Sequence, residues 1–206
     1  MHLRRAWMWM VGLLLAGGLR GYAGEPSGGP EAAIARIEKL GGSVYRKDDR
    51  LEVFLATDYH GLRVVDIANP KAPREVSSLE GMGHAKRVAV AGKQAYVADE
   101  EDGMWIVDVS DPKAPRKLAR YGEGAVLDVA VAGKYAFLAR HSLEVVDVSN
   151  PERPTRFELH DRTDEFSASR IAISGEYVYV SGETGPALSI FRLPPHVVEG
   201  PTSKKE

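Results

Sequence analysis

From residue 61 onward the chain sets short apolar runs against turns marked by glycine and proline, and the alternation recurs. Three segments superpose, GLRVVDIANPKAP from Gly61, GMWIVDVSDPKAP from Gly103 and SLEVVDVSNPERP from Ser142. An acid therefore returns at Asp66, Asp108 and Asp147, with spacings of 42 and 39 residues. A second pattern interleaves with the first: VAVAGKQAYVA (88–98), VAVAGKYAFLA (129–139) and IAISGEYVYVS (171–181). Its glycines, Gly92, Gly133 and Gly175, stand 41 and 42 apart. Two markers that share one period identify an internal repeat.

Each repeat predicts strands. RVAVAGKQAYVA alternates around a Gly-Lys turn, the pattern of a hairpin. MWIVDV adds a third strand, and RKLARY or REVSSL a weaker fourth. In the third strand Met104 and Ile106 fall on one face, with Trp105, Val107 and Val109 on the other. Leu143 and Val145 against Val146 and Val148 repeat the arrangement. A strand that is apolar on both faces must be covered on both. Small antiparallel sheets stacked face to face around an axis meet that demand, which predicts an all-β, β-propeller-like fold with blades of about 40–45 residues.

The ends depart from the pattern. SVYRKDDRLEVFLA (43–56) is a degenerate hairpin that places Phe54 where Tyr96 and Phe137 stand in later repeats. LSIFRL (188–193) aligns with LEVVDV but carries Arg192 in place of the acid, and Pro194-Pro195 then stop the strand. The total is about four four-stranded blades. That number leaves three arrangements open: a closed ring, an open arc capped by its ends, or two arcs closing as a homodimer. Upstream, Pro30, then Ile34, Ile37 and Leu40 at helical spacing, then Gly41-Gly42, predict a short capping helix over 30–42. Residues 24–29 read as a flexible linker, 43–193 as the repeats, and 194–206 as a C-terminal tail.

The IVDVSDP and VVDVSNP cores, the proline pair after them and the VAVAGKYAFLA hairpin resemble LVIVD repeats over roughly residues 50–193. The resemblance implies a β-propeller of the kind found in secreted and cell-surface bacterial and archaeal proteins. It supplies no catalytic residues to carry over.

Composition sharpens the setting. The chain has 206 residues, formal charge −2, 44% hydrophobic and 27% charged residues, enough for one domain with a real core. Met1–Arg5 is basic, residues 6–19 are apolar, and Gly21-Tyr22-Ala23 offers small residues at the cleavage positions. An apolar run of 14 residues is shorter than the roughly 20 of a spanning helix, so residues 1–23 read as a cleaved secretory signal with no transmembrane span left afterwards. Without them, 24 bases face 29 acids, a formal charge of −5. No basic block points to nucleic acid. There is no cysteine, so disulfides and thiolate metal sites are excluded and stability outside the cytoplasm rests on packing.

Asp66, Asp108 and Asp147 admit two readings, a set of chemical carboxylates or a set of turn locks. One active site needs unlike groups in unlike roles, whereas these are identical copies. Each is followed by a turn proline (Pro70, Pro112, Pro151), and an Asp there can accept from backbone N–H groups two or three residues on. The turn-lock reading is the stronger. The histidines are less regular. His60 and His141 share one repeat position, just before the third strand, and Asp102 stands between them in the middle repeat. Hairpin turns and blade connections of a propeller emerge on a common face, which predicts a shared rim of His60, His84, Asp99, Glu100, Asp102, Arg140, His141, His160, Asp161 and Asp164. Such a rim could bind a ligand or, less readily, a divalent metal. No H-x-H or H-x₃-H cluster favours the metal, and DEEDG (99–103) lacks the ligand spacing of a calcium loop. HDRTDEFSAS (160–169) is the most irregular connection and the natural carrier of specificity.

No activated nucleophile or phosphate loop is present in the sequence. The expectation is a secreted or periplasmic, cell-surface-associated, non-enzymatic scaffold that binds a protein or surface ligand, with no cofactor. The competing class is a propeller enzyme carrying out metal-assisted hydrolysis on the loop face.

Overall fold

The computed structural model describes residues 43–47, 50–69, 73–157, 167–182 and 187–193. The expected signal (1–23), linker (24–29), capping helix (30–42) and tail (194–206) lie outside these residues. Within them the chain forms fifteen strands in four antiparallel sheets, each strand paired with its neighbours in sequence. Blade 1 comprises β1 (Ser43–Lys47), β2 (Arg50–Ala56), β3 (Leu62–Asp66) and β4 (Arg74–Leu79). Blade 2 comprises β5 (Ala85–Ala91), β6 (Gln94–Asp99), β7 (Gly103–Asp108) and β8 (Arg116–Tyr121). Blade 3 comprises β9 (Asp128–Ala132), β10 (Tyr135–Ala139), β11 (Leu143–Asp147) and β12 (Thr155–Phe157). Blade 4 comprises β13 (Ala168–Ser174), β14 (Tyr177–Gly182) and β15 (Leu188–Arg192), three strands among the described residues.

The sequence repeat is a repeat of register. Glu52 faces Asp66, Gln94 faces Asp108, Tyr135 faces Asp147 and Tyr177 faces Arg192 across the same pair of strands in the four blades. Because the side-chain period in a strand is two, this shared register sends matching residues to matching faces. One face carries Phe54, Tyr96, Phe137 and Tyr179; the other carries Val53, Ala95, Ala136 and Val178.

Three core clusters join the blades in a row. Phe54, Leu62 and Val64 of blade 1 meet Val88, Ala95, Val97 and Val107 of blade 2. Tyr96, Met104 and Ile106 meet Val129, Ala136, Leu138 and Val146 of blade 3. Phe137, Leu143 and Val145 then meet Val178, Val180 and Leu193 of blade 4. The middle blades are thus buried from both sides, as two-faced apolar strands require, and each fully buried large aliphatic or aromatic side chain contributes about 1.5–3 kcal/mol. Among the described residues no cluster joins blade 4 to blade 1, so the described blades form an open, propeller-like arc.

That opening has a clear mark. Leu188 and Ile190 of β15 are 55% and 56% exposed, whereas their counterparts Leu62, Val64, Met104 and Ile106 are at 0% and Leu143 and Val145 at 3%. Blade 4 keeps the docking face of its neighbours with nothing of the described chain upon it.

Hairpin turns between second and third strands, together with the crossings between blades, share one end of the arc. Asp58 exchanges backbone hydrogen bonds of 2.9 and 3.1 Å with Ala85, tying a blade 1 turn to the start of blade 2. Val126 N–H donates to Asp99 O at 2.9 Å, tying blade 2 to the crossing into blade 3. Gly61 and Gly103 open the third strands at φ +70° and +83°, and a Cβ on either would collide with the carbonyl oxygen of Leu79 or Tyr121.

Candidate functional site

The loop face is built around His84, in the crossing from blade 1 to blade 2. Its Nε2 lies 3.0 Å from Asp58 Oδ1 and its Nδ1 2.9 Å from Glu100 Oε2, so the ring is clamped between the turns of two blades. Lys86 Nζ approaches His84 Nε2 at 3.1 Å and Glu100 Oε2 at 3.0 Å. The hydrogen bond to Glu100 is the main reason the Lys86 ammonium titrates above its ordinary value; burial opposes it next, and the charges of Glu100 and then Asp58 add to the rise. Tyr59 stacks on His84 with ring centroids 4.6 Å apart and planes 9° from parallel, while remaining 67% exposed.

Asp99 supports this arrangement from beneath. It is completely buried, and its carboxylate accepts from three backbone N–H groups. His84 N–H donates to both oxygens, at 3.0 and 3.1 Å, and Glu101 and Asp102 N–H each donate to Oδ1 at 2.9 Å. A single side chain therefore shapes the tip of the blade 2 hairpin and fixes the backbone of His84.

Of the expected rim, the structure brings His84, Asp99 and Glu100 together. Asp102 turns instead to Arg120 at 3.1 Å. Arg140 pairs with Glu144 Oε2 at 2.8 Å and also donates to the Glu123 carbonyl. Tyr121 donates to the other oxygen of Glu144 at 2.8 Å; burial first, and then this partner, push its phenol up to about 12. His60 and His141 are exposed at the hairpin tips of different blades. His160, Asp161 and Asp164 lie outside the described residues. Among those that are described, no three His, Cys, Asp or Glu side chains gather where they could hold a metal ion.

The repeated acids lie on the opposite end. Asp66 Oδ1 accepts from Ala68 N–H at 2.8 Å, Asp108 Oδ1 from Ser110 N–H at 2.9 Å and Asp147 Oδ1 from Ser149 N–H at 2.9 Å. The side chain and then the backbone of Ser110, followed by Arg116, hold the Asp108 carboxyl below its ordinary value. For Asp147 the upward push of burial is outweighed by Ser149 and Lys134, and the net direction is again down. A second turn of the same kind follows in two repeats, with Lys113 N–H donating to Asp111 and Glu152 N–H to Asn150 at 3.0 and 3.1 Å. Pro112 O also accepts from Ser77 Oγ of blade 1 at 2.5 Å, and Pro151 is partly buried in its turn. Pro70 lies outside the described residues.

Sequence reasoning passed over Asp58, Tyr59 and Lys86, which flank the histidines it singled out and acquire meaning only when two loops meet. It also passed over Arg87, Asp128 and Arg170. These had a signal: all three fall immediately before VAVAG, VAVAG and IAISG.

Comparison with known proteins agrees with this architecture. Two computationally designed proteins, Ika4 and Ika8, have similar structures. The match to Ika4 has a TM-score of 0.54 at 10% identity and covers 73% of this chain and 89% of that one. The match to Ika8 has a TM-score of 0.54 at 12% identity, and the chain spans only 45% of it while 73% of this chain is covered. At such identities the likeness concerns fold alone. No curated protein matches the chain. The LVIVD repeat matches residues 53–80, 82–122, 123–158 and 167–185, one span on each blade and together more than half of the sequence. The chain belongs to the LVIVD repeat family.

Proposed function

We propose that the protein is a non-enzymatic repeat scaffold that works outside the cytoplasm, in the periplasm or at the cell surface, and binds a protein or surface ligand through its loop face. Tyr59 carries the reading. An aromatic ring that is 67% exposed and already stacked on a clamped imidazole loses little freedom when a partner covers it. Aromatic anchors within a polar surround are the usual centres of binding energy. Export is supported by the basic and apolar start of the chain. Among the described residues no helix is long and apolar enough to cross a membrane.

The test has two parts. The full chain expressed in a bacterial host should appear outside the cytoplasm with a new N-terminus near residue 24. The purified protein should co-sediment with cells of the producing organism, and Tyr59→Ala should weaken that about tenfold or more, as a binding hot spot does. Equal binding by a folded Tyr59→Ala protein would remove the Tyr59–His84 surface from consideration.

A second reading, two arcs meeting as a homodimer, is favoured by the exposure of Leu188 and Ile190. The same face is covered by the next blade at all three places where it recurs, and because the outer face of blade 1 is already covered at Val53, Val65 and Ile67, the contact would be isologous, the Leu188–Ile190 faces of two copies meeting each other. Light scattering should give a dimer mass that Leu188→Lys with Ile190→Lys converts to a monomer. A monomer in the unaltered protein at tens of micromolar would rule it out.

A further inference from the structure

The innermost strands of blades 2, 3 and 4 carry a charge at one repeat position. Arg87, Asp128 and Arg170 pair across their hairpins with Ala98, Ala139 and Ser181, three equivalent residues. Both arginines directly follow a register shift, between Ala85 and Arg87 and between Ala168 and Arg170. A bulge re-aims the side chain beside it, and here the two bulges sit at the loop-face ends of β5 and β13. The blades are close at this level: Ile171 N–H, adjoining Arg170, donates to Asp128 Oδ2 at 3.0 Å.

Asp128 does not neutralise its neighbours by contact. Its Oδ1 accepts from Val129 N–H at 2.9 Å and its Oδ2 from Ile171, so both oxygens are directed at the backbone. Burial raises its pKa, an effect that these two N–H donors and then the two arginines oppose in part. Among the described residues neither Arg87 nor Arg170 has a side-chain hydrogen bond or ion pair. Arg87 is half-buried, and its own pKa is lowered first by that burial and then by the repulsion of Arg170. Two guanidiniums against one carboxylate leave a net positive charge at the inner mouth.

We propose that this mouth binds the oxyanion of a small ligand, a carboxylate or a phosphate, bridged by Arg87 and Arg170. Guanidinium forks match the paired oxygens of either group, and an anion between them would relieve their mutual repulsion. The proposal goes beyond the scaffold reading, because this site is separate from the Tyr59–His84 stack and depends on other residues.

Calorimetric titration of the purified chain with inorganic phosphate and, separately, with succinate tests it, ionic strength being held constant with sodium chloride. Saturable binding of at least one anion is expected, and the arm that responds identifies the group. Arg170→Gln, at an exposed position where folding is undisturbed, should weaken binding about tenfold, and adding Arg87→Gln should abolish it. Tyr59→Ala should leave anion binding unchanged, which separates this site from the ring on His84. Absence of saturable binding in both arms, or unchanged affinity in Arg170→Gln, would overturn the proposal.

Discussion

Replacing Asp99 with alanine removes the acceptor for three backbone donors at once, those of His84, Glu101 and Asp102. A hydrogen bond to a charged group contributes about 1.5–3 kcal/mol. Glu101 is exposed, so water can satisfy part of what is lost there, whereas His84 and Asp102 are partly covered. A net loss of about 3–4 kcal/mol follows, a large share of the roughly 5–15 kcal/mol that holds a typical domain together. Asparagine is the discriminating control. It keeps an oxygen where Oδ1 accepts all three donors, but it loses the charge and sets an amide NH2 against the His84 N–H that Oδ2 had accepted, for a cost of about 1–2 kcal/mol. Urea unfolding followed by tryptophan fluorescence and circular dichroism measures both variants, and the alanine protein should melt roughly 6–15 °C lower. The effect should extend beyond stability. Tyr59 lies on His84, and the backbone of His84 rests on Asp99, so the alanine variant should also bind more weakly through the loop face. An alanine variant costing less than about 1 kcal/mol, or one indistinguishable from asparagine, would refute the reasoning.

Other outcomes follow from the same geometry. Asp108→Ala should lower stability by about 1 kcal/mol through the lost Ser110 turn, with Asp108→Asn closer to the parent in urea midpoint. Gly103→Ala should cost about 2 kcal/mol or more by urea unfolding, since its φ of +83° and the Tyr121 carbonyl leave no room for a Cβ; Gly124→Ala, with open space around it, should cost less. Asp108 and Asp147 have folded-state pKa values below the ordinary one, so the stability they contribute is complete above about pH 4 and disappears as pH falls through the folded values. Asp128 has the opposite sign: its raised pKa costs stability as pH climbs from the unfolded value of 3.8 through the folded one. Midpoints between pH 2 and 6 should therefore decline less steeply on the acid side in Asp108→Asn. Finally, EDTA should leave the melting temperature of the scaffold unchanged, and a stoichiometric metal found by elemental analysis would favour a metal-assisted hydrolase instead.

Much of the blade was legible in the chain because it is governed by local relations. Period-two alternation assigned Met104 and Ile106 to one face and Val107 and Val109 to the other, and these residues enter two different core clusters. The turn acids were legible for the same reason, since an oxygen reaching the N–H two residues ahead needs no distant partner. The departure of the last repeat was legible as well: Arg192 stands at the position of the acid and pairs with Glu176, and the described part of blade 4 has three strands.

What lay beyond the sequence was which polar residues meet. His84 carries no stronger signal along the chain than His60 and His141, which share one repeat position, yet it is clamped between two blades, because the crossing that carries it meets the Asp58 turn. Asp99 reads as one more acid of a solvated hairpin tip, but that tip folds over its own carboxylate and buries it. Exposure of Leu188 and Ile190 was likewise undecidable, since their sequence is that of a covered face and only the placement of the blades leaves it open. Periodicity and turn chemistry act within a few residues, so the sequence by itself determined the strands, their register, the repeat and its locked turns. Charges and faces separated by 15 to 43 residues meet according to the twist and spacing of whole sheets, and the clamp on His84, the open face of blade 4 and the gathering of Arg87, Asp128 and Arg170 were decided only there.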